Sequence, residues 1–341
     1  MLLEGIFVPL TTPFYPDGRL YLRKLEHNVD RYSRTPAAGL LVLGETGEAG
    51  GLTDEESREA LTAAIGVAAK HKVMIACVGR ESVFATLALA EYAATAGYDC
   101  IAVRAPEFVA NETMRVELMT YFRAVADKAS LPVVVVSEAG RAIPLEVLAE
   151  LAGHGNVVGA LGDFDFAALR ERTLTVSREV TVTTVFAAAT GRMLRQVETV
   201  GPATFVSAES LGGGSALAVA ELAPAIKTRK KKVGFQMLSS ATASMLAAWQ
   251  KGASGSAPRL AACTPQGCCE VWQAFKDGDT PLSEEKQLRV EAAAKEVDRV
   301  AAIKHGCDVN GYFGGRPRLP LIGLTGEERA EVERVLDGLR N

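Results

Sequence analysis

The chain has 341 residues, of which 48% are hydrophobic and 23% are charged, and its formal net charge is -4. This balance is typical of a globular protein with a large buried core, and it excludes an intrinsically disordered chain. The weak negative charge and the single short basic run, 227–232, give no electrostatic basis for binding nucleic acid.

The N-terminal residues lack the basic and apolar segments of a secretory signal peptide, and no apolar stretch reaches the ~18 residues that a membrane span needs. We therefore expect a cytoplasmic protein with no membrane partner. The six cysteines contain no Cys-x-x-Cys pair and have mostly apolar neighbours. This pattern indicates buried thiols rather than a disulfide framework or a metal site. We expect neither a metal nor a cofactor.

Six short apolar runs alternate with amphipathic segments in the first half of the chain. The predicted strands are 6–10, 39–43, 72–76, 100–103, 132–136 and 156–160. The predicted helices between them are 20–32, 54–69, 83–96, 112–128 and 145–152. Continuous β-branched runs that alternate with helices are typical of parallel strands buried on both faces. Six such units in about 160 residues favour an α/β fold of the TIM (β/α)8 barrel class.

Two later segments could each supply the strand-helix-strand unit that closes the barrel. Residues 180–207 and 233–257 both contain Ala-Thr-x-x-Met-Leu, at 189–194 and 241–246. Both remain open at this point, and we favour 233–257 because the C-terminal helices follow it directly. We predict a barrel over 1–260, an insertion of about 50 residues somewhere in 167–232, and a helical extension over 261–341. Its predicted helices are 266–276, 284–304 and 327–339.

The residues directly after each predicted strand are the candidates for function. In (β/α)8 barrels the chemistry lies at the carboxyl ends of the strands, where the βα loops meet. Because the loops of any soluble barrel are polar, polarity alone assigns no role to them. The candidates at these positions are Glu45, Thr46, Glu107, Ser137, Arg141 and Asp163.

Several short motifs are spread along nearly the whole chain. They are Thr12-Pro13-Phe14, Gly44-Glu45-Thr46-Gly47-Glu48, Leu131-Pro132-Val133-Val134, Asn156-Val157-Val158-Gly159, Lys304-x-Gly306 and Arg316-x-Arg318-Leu319-Pro320-Leu321. Together they resemble the dihydrodipicolinate synthase / N-acetylneuraminate lyase family of class I aldolases. The chain is identified as a divergent member of this family, which implies the barrel fold.

The resemblance also implies a lysine at the end of the sixth strand that forms a Schiff base with pyruvate or another 2-oxo acid. Such an imine is an electron sink, which divides one difficult step into easier ones. At the family's lysine position this chain has Leu161, which carries no nucleophile. The family's tyrosine and asparagine after the fifth strand correspond to Val136 and Ser137. Its paired tyrosines near the fourth strand correspond to Glu107 and Phe108.

Two positions match the family's substrate-binding residues. Arg141 matches the arginine that receives the substrate carboxylate, and Thr46 matches the second threonine of the loop after the second strand. We expect both, with Ser137, to contact a small anionic substrate. Glu45 replaces the first threonine, and a carboxylate about 4 Å away would be repelled by ~1 kcal/mol in water and ~4 kcal/mol at an effective dielectric near 20. Pyruvate should bind poorly unless Glu45 is protonated or turns away.

Three functions remain open. The first is a lyase or hydratase with an altered mechanism, in which Glu45, Glu107 or Asp163 acts as general acid or base. The second is a catalytically inactive homologue that keeps the barrel for ligand binding, stability or assembly. The third, a metal-dependent enzyme with Glu45, Glu138 and Asp163 as ligands, is the least supported. The family's assembly implies a homo-oligomer, a dimer or tetramer, although Phe108 cannot replace the tyrosine that crosses between subunits.

Overall fold

The computed structural model describes residues 1–109, 113–138, 140–185, 187–199 and 227–339. Its strands are β1 (Gly5–Pro9), β2 (Gly39–Val42), β3 (Val73–Cys77), β4 (Cys100–Arg104), β5 (Val133–Ser137), β6 (Val157–Gly162), β7 (Arg178–Thr183), β8 (Thr228–Val233), β9 (Gln236–Ser239) and β10 (Gly255–Ser256). Eight of them form a closed parallel barrel in the order β1, β2, β3, β4, β5, β6, β9 and β10. The predicted TIM barrel class is confirmed.

Helices follow the barrel strands and then form the C-terminal extension. They are α1 (Leu22–Ser33), α2 (Asp54–Val67), α3 (Val83–Ala96), α4 (Arg115–Lys128), α5 (Leu145–Ala152), α6 (Phe166–Arg172), α7 (Gly191–Thr199), α8 (Met245–Gln250), α9 (Pro265–Lys276), α10 (Thr280–Glu296), α11 (Val300–Val309) and α12 (Gly326–Leu336). None of the helices in the described ranges is both long and apolar enough to span a membrane.

The barrel is closed by the second of the two candidate segments. Strand β9 pairs with β6, and β10 pairs with both β9 and β1. The first candidate contributes β7, which pairs antiparallel with β8 outside the barrel, and α7; its last residues, 200–207, lie outside the described ranges. The size of the insertion and the division of the chain at residue 260 stay predictions.

The single helix predicted at 284–304 was wrong, because the structure has two helices there. The chain leaves the helical conformation at Val297, whose ψ is 58°, and at Arg299, whose ψ is 147°. Val297 is buried in the core, and Asp298 forms an ion pair with Arg259 at 3.1 Å. These tertiary contacts override the helix propensity of the segment.

Apolar side chains fill the interior of the barrel. Phe7, Leu41, Ile75, Val134 and Leu238, from five different strands, belong to one buried cluster. Successive residues of a strand point to opposite faces, so these side chains alternate with those that pack beneath the helices. The interior is therefore a packed core and not a channel.

Strand β7 and the start of α7 cover the N-terminal end of the barrel. Val180 and Val182 of β7 form a small buried cluster with Leu2. At the start of α7, Arg192 lies 3.5 Å from Asp99, which directly precedes β4. Protein therefore closes the end of the barrel opposite to the carboxyl ends of the strands. We call those carboxyl ends and the loops after them the mouth.

Candidate active site at the barrel mouth

The rim loop, residues 44–48, forms a 3₁₀ turn directly after β2. Leu43 before the turn and Glu48 at its end have positive φ angles of 64° and 54°. Left-handed conformations are unfavourable for residues with a side chain, so tertiary contacts must maintain this loop. One of them is made by Thr12, whose hydroxyl donates to the carbonyl of Gly47 at 2.6 Å.

Thr46 directs its hydroxyl at the end of β1. Its Oγ1 lies 3.3 Å from the carbonyl oxygen of Pro9 and 3.4 Å from that of Leu10, and the residue is buried. A hydroxyl proton donated to the backbone is not free to bind a substrate carboxylate. The role of Thr46 in substrate binding stays a prediction, and the loop geometry gives it a structural role.

Glu45 turns toward the loop after β10, which is one of the two arrangements that the sequence left open. Its Oε2 lies 2.5 Å from Nη2 of Arg259, and its side chain is 62% exposed. Glu45 and Thr46 also line an open cleft of about 340 Å³ between the rim loop and the start of α11. The arginine, and not a substrate, neutralises the charge that the sequence places in this loop.

Ser137 and Arg141 follow β5, and both have partners in their own loop. Ser137 is buried, and its Oγ accepts the N–H of Ile143 at 3.0 Å. Arg141 forms an ion pair with Glu138, and both side chains are partly exposed. An anionic ligand that binds Arg141 has to compete with this carboxylate.

Glu107 belongs to a second charged group, after β3 and β4. Arg104 Nη2 lies 2.8 Å from Glu81 Oε1 and 3.7 Å from Glu107 Oε1. The other oxygen of Glu81 accepts the N–H of Glu107 at 2.7 Å. Partial burial opposes ionisation, but the hydrogen bonds from Arg104 and from this amide hold the pKa of Glu81 below its usual value. The side chain of Glu107 itself is largely exposed.

Leu161 lies near the carboxyl end of β6, in the apolar interior. In the register of the sheet it is next to Val136 of β5 and Leu238 of β9, and it is 6% exposed. Side chains at the same level of neighbouring strands share a face, so these three aliphatic groups pack together. Asp163, two residues further along, is exposed in the loop after β6.

Every lysine of the chain falls within the described ranges, and none lies in a barrel strand or in the loop after one. Lys72 directly precedes β3, and its Nζ donates to the carbonyls of Thr35 and Ala37 at 2.6 Å, at the N-terminal end of the barrel. Lys231 of β8 pairs with Glu4, which directly precedes β1. No lysine side chain is therefore positioned next to Leu161.

A buried ion pair between Glu48 and Lys304 lies behind the rim loop, and the sequence pattern did not predict it. Their side chains are 4% and 0% exposed. Nζ of Lys304 also donates to the carbonyl of Arg316 at 3.0 Å and lies 4.4 Å from the ring centroid of Phe14. Burial lowers the pKa of Lys304, although the charge of Glu48 opposes this. The sequence shows the motifs that contain Glu48 and Lys304, but it does not show that these two residues pair.

Cys77 is a second residue of the mouth that was missed. It ends β3, and a Cβ on Gly44 of the rim loop would lie 3.8 Å from its Sγ. Burial and the nearby charge of Glu138 raise the pKa of the Cys77 thiol to about 12. A protonated thiol is a poor nucleophile, so Cys77 offers no substitute for an amine.

Within the described part of the chain, no three His, Cys, Asp or Glu side chains converge in a way that could hold a metal ion. The proposed ligands Glu45 and Glu138 are instead bound to two different arginines, Arg259 and Arg141.

Comparisons with known proteins agree with the barrel fold. The model of the dihydrodipicolinate synthetase family matches residues 2–210. The 4-hydroxy-tetrahydrodipicolinate synthase of Xanthomonas axonopodis pv. citri is 37% identical over 163 residues, 47% of this chain and 53% of that enzyme. The corresponding enzyme of Acidiphilium cryptum is 25% identical over 344 residues, 99% of both chains.

The solved structures show the same fold at lower identity. The dihydrodipicolinate synthase of Bacillus anthracis superposes with a TM-score of 0.76, with 19% identity and 100% of both chains covered. With the family match over residues 2–210, the chain belongs to the dihydrodipicolinate synthetase family.

Proposed function

We propose that this chain is a family member that forms no imine with 2-oxo acids and whose barrel serves as a ligand-binding or structural scaffold. The observation that carries this proposal is the packing of Leu161 beside Val136 and Leu238. Imine formation needs a primary amine, and no change of pKa or geometry gives leucine one.

The polar residues around the mouth support the same proposal. Arg141 is bound by Glu138, the hydroxyl of Ser137 accepts a backbone N–H, and that of Thr46 donates to a backbone carbonyl. An active site keeps such groups directed at the position where charge develops in the transition state. Here a neighbouring carboxylate and backbone groups bind them, which is what a stable scaffold requires.

The alternative of a lyase or hydratase with general acid-base catalysis has less support. Its three carboxylates have separate surroundings: Glu45 pairs with Arg259, Glu107 lies by Arg104, and Asp163 is exposed. A general acid or base has to reach the transferred proton within about 3 Å in a common pocket. The cleft beside the rim loop contains Glu45 but neither Glu107 nor Asp163.

The proposal is tested by borohydride reduction of the protein in the presence of pyruvate, followed by intact mass measurement. We expect no added mass of a reduced pyruvyl group. An adduct on the wild-type protein would overturn the proposal, because it would reveal an amine that reacts with a 2-oxo acid.

The Leu161→Lys variant is the matched positive control, and Leu161→Met tests whether a long side chain is tolerated at this position. If Leu161 occupies the imine position, the lysine variant gains the adduct and the methionine variant does not. Circular dichroism shows whether both are folded. A folded lysine variant that gains no adduct would contradict the assignment of this position.

We also propose a cytoplasmic homo-oligomer, a dimer or tetramer. Phe84 at the start of α3 and Phe108 in the loop after β4 are both largely exposed, and burial of such side chains favours association. Light scattering coupled to size-exclusion chromatography measures the mass in solution. A monomer at micromolar concentration would contradict this part of the proposal.

A further inference from the structure

A second cavity lies in the C-terminal extension, next to the cleft that reaches the rim loop, and Ala301 lines both. Its volume is about 190 Å³, and it lies between α11, the residues before α12, and the first turns of α12. The charged residues in its wall are His305, Asp308, Arg316 and Arg329, and Gly323 is among its backbone contributors. A Cβ added to Gly323 would meet no atom within 4 Å, so this part of the wall faces open space.

The two arginines of this cavity have no anionic partner in the described part of the chain. Neither Arg316 nor Arg329 forms an ion pair or a side-chain hydrogen bond there. Both guanidinium groups therefore keep their donors available. Guanidinium groups bind phosphate and carboxylate through paired N–H donors, which a single ammonium group cannot provide.

The acidic groups near the cavity are already bound to other partners. The carboxylate of Asp308 accepts the N–H of Gly314 at 2.8 Å and that of Gly315 at 3.3 Å. Glu333 lies 3.1 Å from Nε2 of His305. The cavity thus presents two unpaired cations, and its nearby carboxylates are held by backbone amides or by the histidine.

The arginines that line the cleft beside the rim loop differ from these two because carboxylates of the protein bind them. There Arg259 is bound by Glu45 and Asp298, and Arg299 is bound by Glu328. A ligand at that cleft would have to displace a carboxylate of the protein. A ligand at the cavity of the extension would displace only water.

The two unpaired arginines are also attached to well-anchored backbone. The carbonyl of Arg316 accepts a hydrogen bond from the buried Lys304. Two residues on, the guanidinium of Arg318 binds Glu56 and the carbonyl of Gly18. Arg329 follows a capping box that begins α12. Anchored backbone lowers the entropy that a ligand must remove on binding.

We propose that this cavity binds a phosphate group, as inorganic phosphate or as a small phosphate monoester, between Arg316 and Arg329. The volume suits a small anion, and the two guanidinium groups match its charge and its several acceptor oxygens. Neither Leu161 nor any residue of the rim loop lines the cavity, so the proposal does not depend on a catalytic activity of the barrel.

Isothermal titration calorimetry of the whole chain with inorganic phosphate, at constant ionic strength in chloride, tests the proposal. We expect one site, with binding weakened about tenfold or more in Arg316→Gln and in Arg329→Gln and lost in the double variant. Arg334→Gln is the matched control, because Arg334 lies in the same helix but pairs with Glu331 and does not line the cavity. It should bind phosphate as the wild-type chain does.

Both arginines are exposed, so the variants should unfold at the wild-type temperature when no phosphate is present. A second titration with methyl phosphate distinguishes the two sources: tighter binding than inorganic phosphate assigns a monoester, and weaker binding assigns the free ion. No heat of binding at millimolar phosphate, or full binding by the double variant, would overturn the proposal.

Discussion

The two ends of the barrel use charged residues in opposite ways. At the N-terminal end the side chains of Asp99 and Arg192 are 2% and 9% exposed, whereas Glu45 at the mouth is 62% exposed. A buried charge loses several kcal/mol of hydration and must be matched by close partners, but an exposed pair is screened by water. The N-terminal end is therefore a structural junction, and the outer mouth is a solvent-facing surface.

Hydrogen bonds at the N-terminal end explain its closure. Asp99 accepts the N–H of Met74 at 2.9 Å and that of Gly191 at 3.2 Å. Arg192 donates to the carbonyls of Ala68 and Lys72. The start of α7 is thereby fixed to residues that directly precede β3 and β4. Among the ion pairs at the mouth in the described ranges, only that of Glu48 and Lys304 is comparably buried. It lies behind the rim loop.

Disruption of the buried pair of Glu48 and Lys304 is expected to cause the largest loss of stability. Lys304→Met leaves Glu48 as a buried charge without its partner, and it should lower the free energy of unfolding by about 3–5 kcal/mol. Chemical denaturation measures this change. The control is Lys295→Met, which removes an exposed lysine paired with Glu291. If both variants lose the same small amount, the rim loop does not depend on the buried pair.

Arg192→Met tests the junction at the other end and should cost about 2–3 kcal/mol. The loss is expected to be smaller than that of Lys304→Met, because Asp99 keeps two backbone N–H donors. Arg172→Met, at an exposed arginine paired with Glu146, is the matched control for denaturation. An effect no larger than that of this control would mean that Arg192 does not hold the start of α7.

The pH dependence of stability should differ in sign between two carboxyl groups. One is Asp99 at the N-terminal end of the barrel, and the other is Glu56 in the first turn of α2, which follows the rim loop. Burial raises the pKa of Asp99 above the usual 3.8, so the folded protein takes up this proton first and gains stability as the pH falls from the raised pKa toward 3.8. A hydrogen bond from Arg318 lowers the pKa of Glu56 below 4.5. Its contribution to stability is present above pH 4.5 and is lost as the pH falls through the lowered pKa.

Denaturation curves between neutral pH and pH 3 test these signs. Asp99→Asn should lose stability more steeply than the wild-type chain on acidification, and Glu56→Gln should lose it less steeply. Equal slopes for the two variants would show that the difference in burial between these carboxyl groups does not control their titration.

The smallest effect is expected at the exposed pair of Glu45 and Arg259. Arg259→Gln should change the free energy of unfolding by less than about 1 kcal/mol, and Glu45→Gln by a similar amount. The effect should shrink further when salt is added to the denaturation buffer. If the loss of stability were as large as that of Arg192→Met and did not depend on salt, the pair of Glu45 and Arg259 would behave as a buried ion pair and not as an exposed one.

The local sequence pattern was sufficient to predict most of the barrel strands. Each of the six strands predicted in the first half is present. Parallel strands that are buried on both faces are recognisable as continuous runs of apolar, often β-branched residues. The motif around Gly159 was sufficient to single out Leu161, and the register then placed it beside Val136. These features depend on residues that are close in sequence.

Contacts between distant residues were not predictable in this way. The pairs Glu48–Lys304, Glu45–Arg259 and Asp99–Arg192 each join separate elements, and a pattern of neighbours contains no information about such partners. The break at Val297 and the choice of the segment that closes the barrel were also decided by packing. The amino-acid sequence determined the strands, the family and the leucine at position 161. The tertiary structure alone decided which charges are buried and paired, because burial and pairing arise only when the chain brings distant residues together.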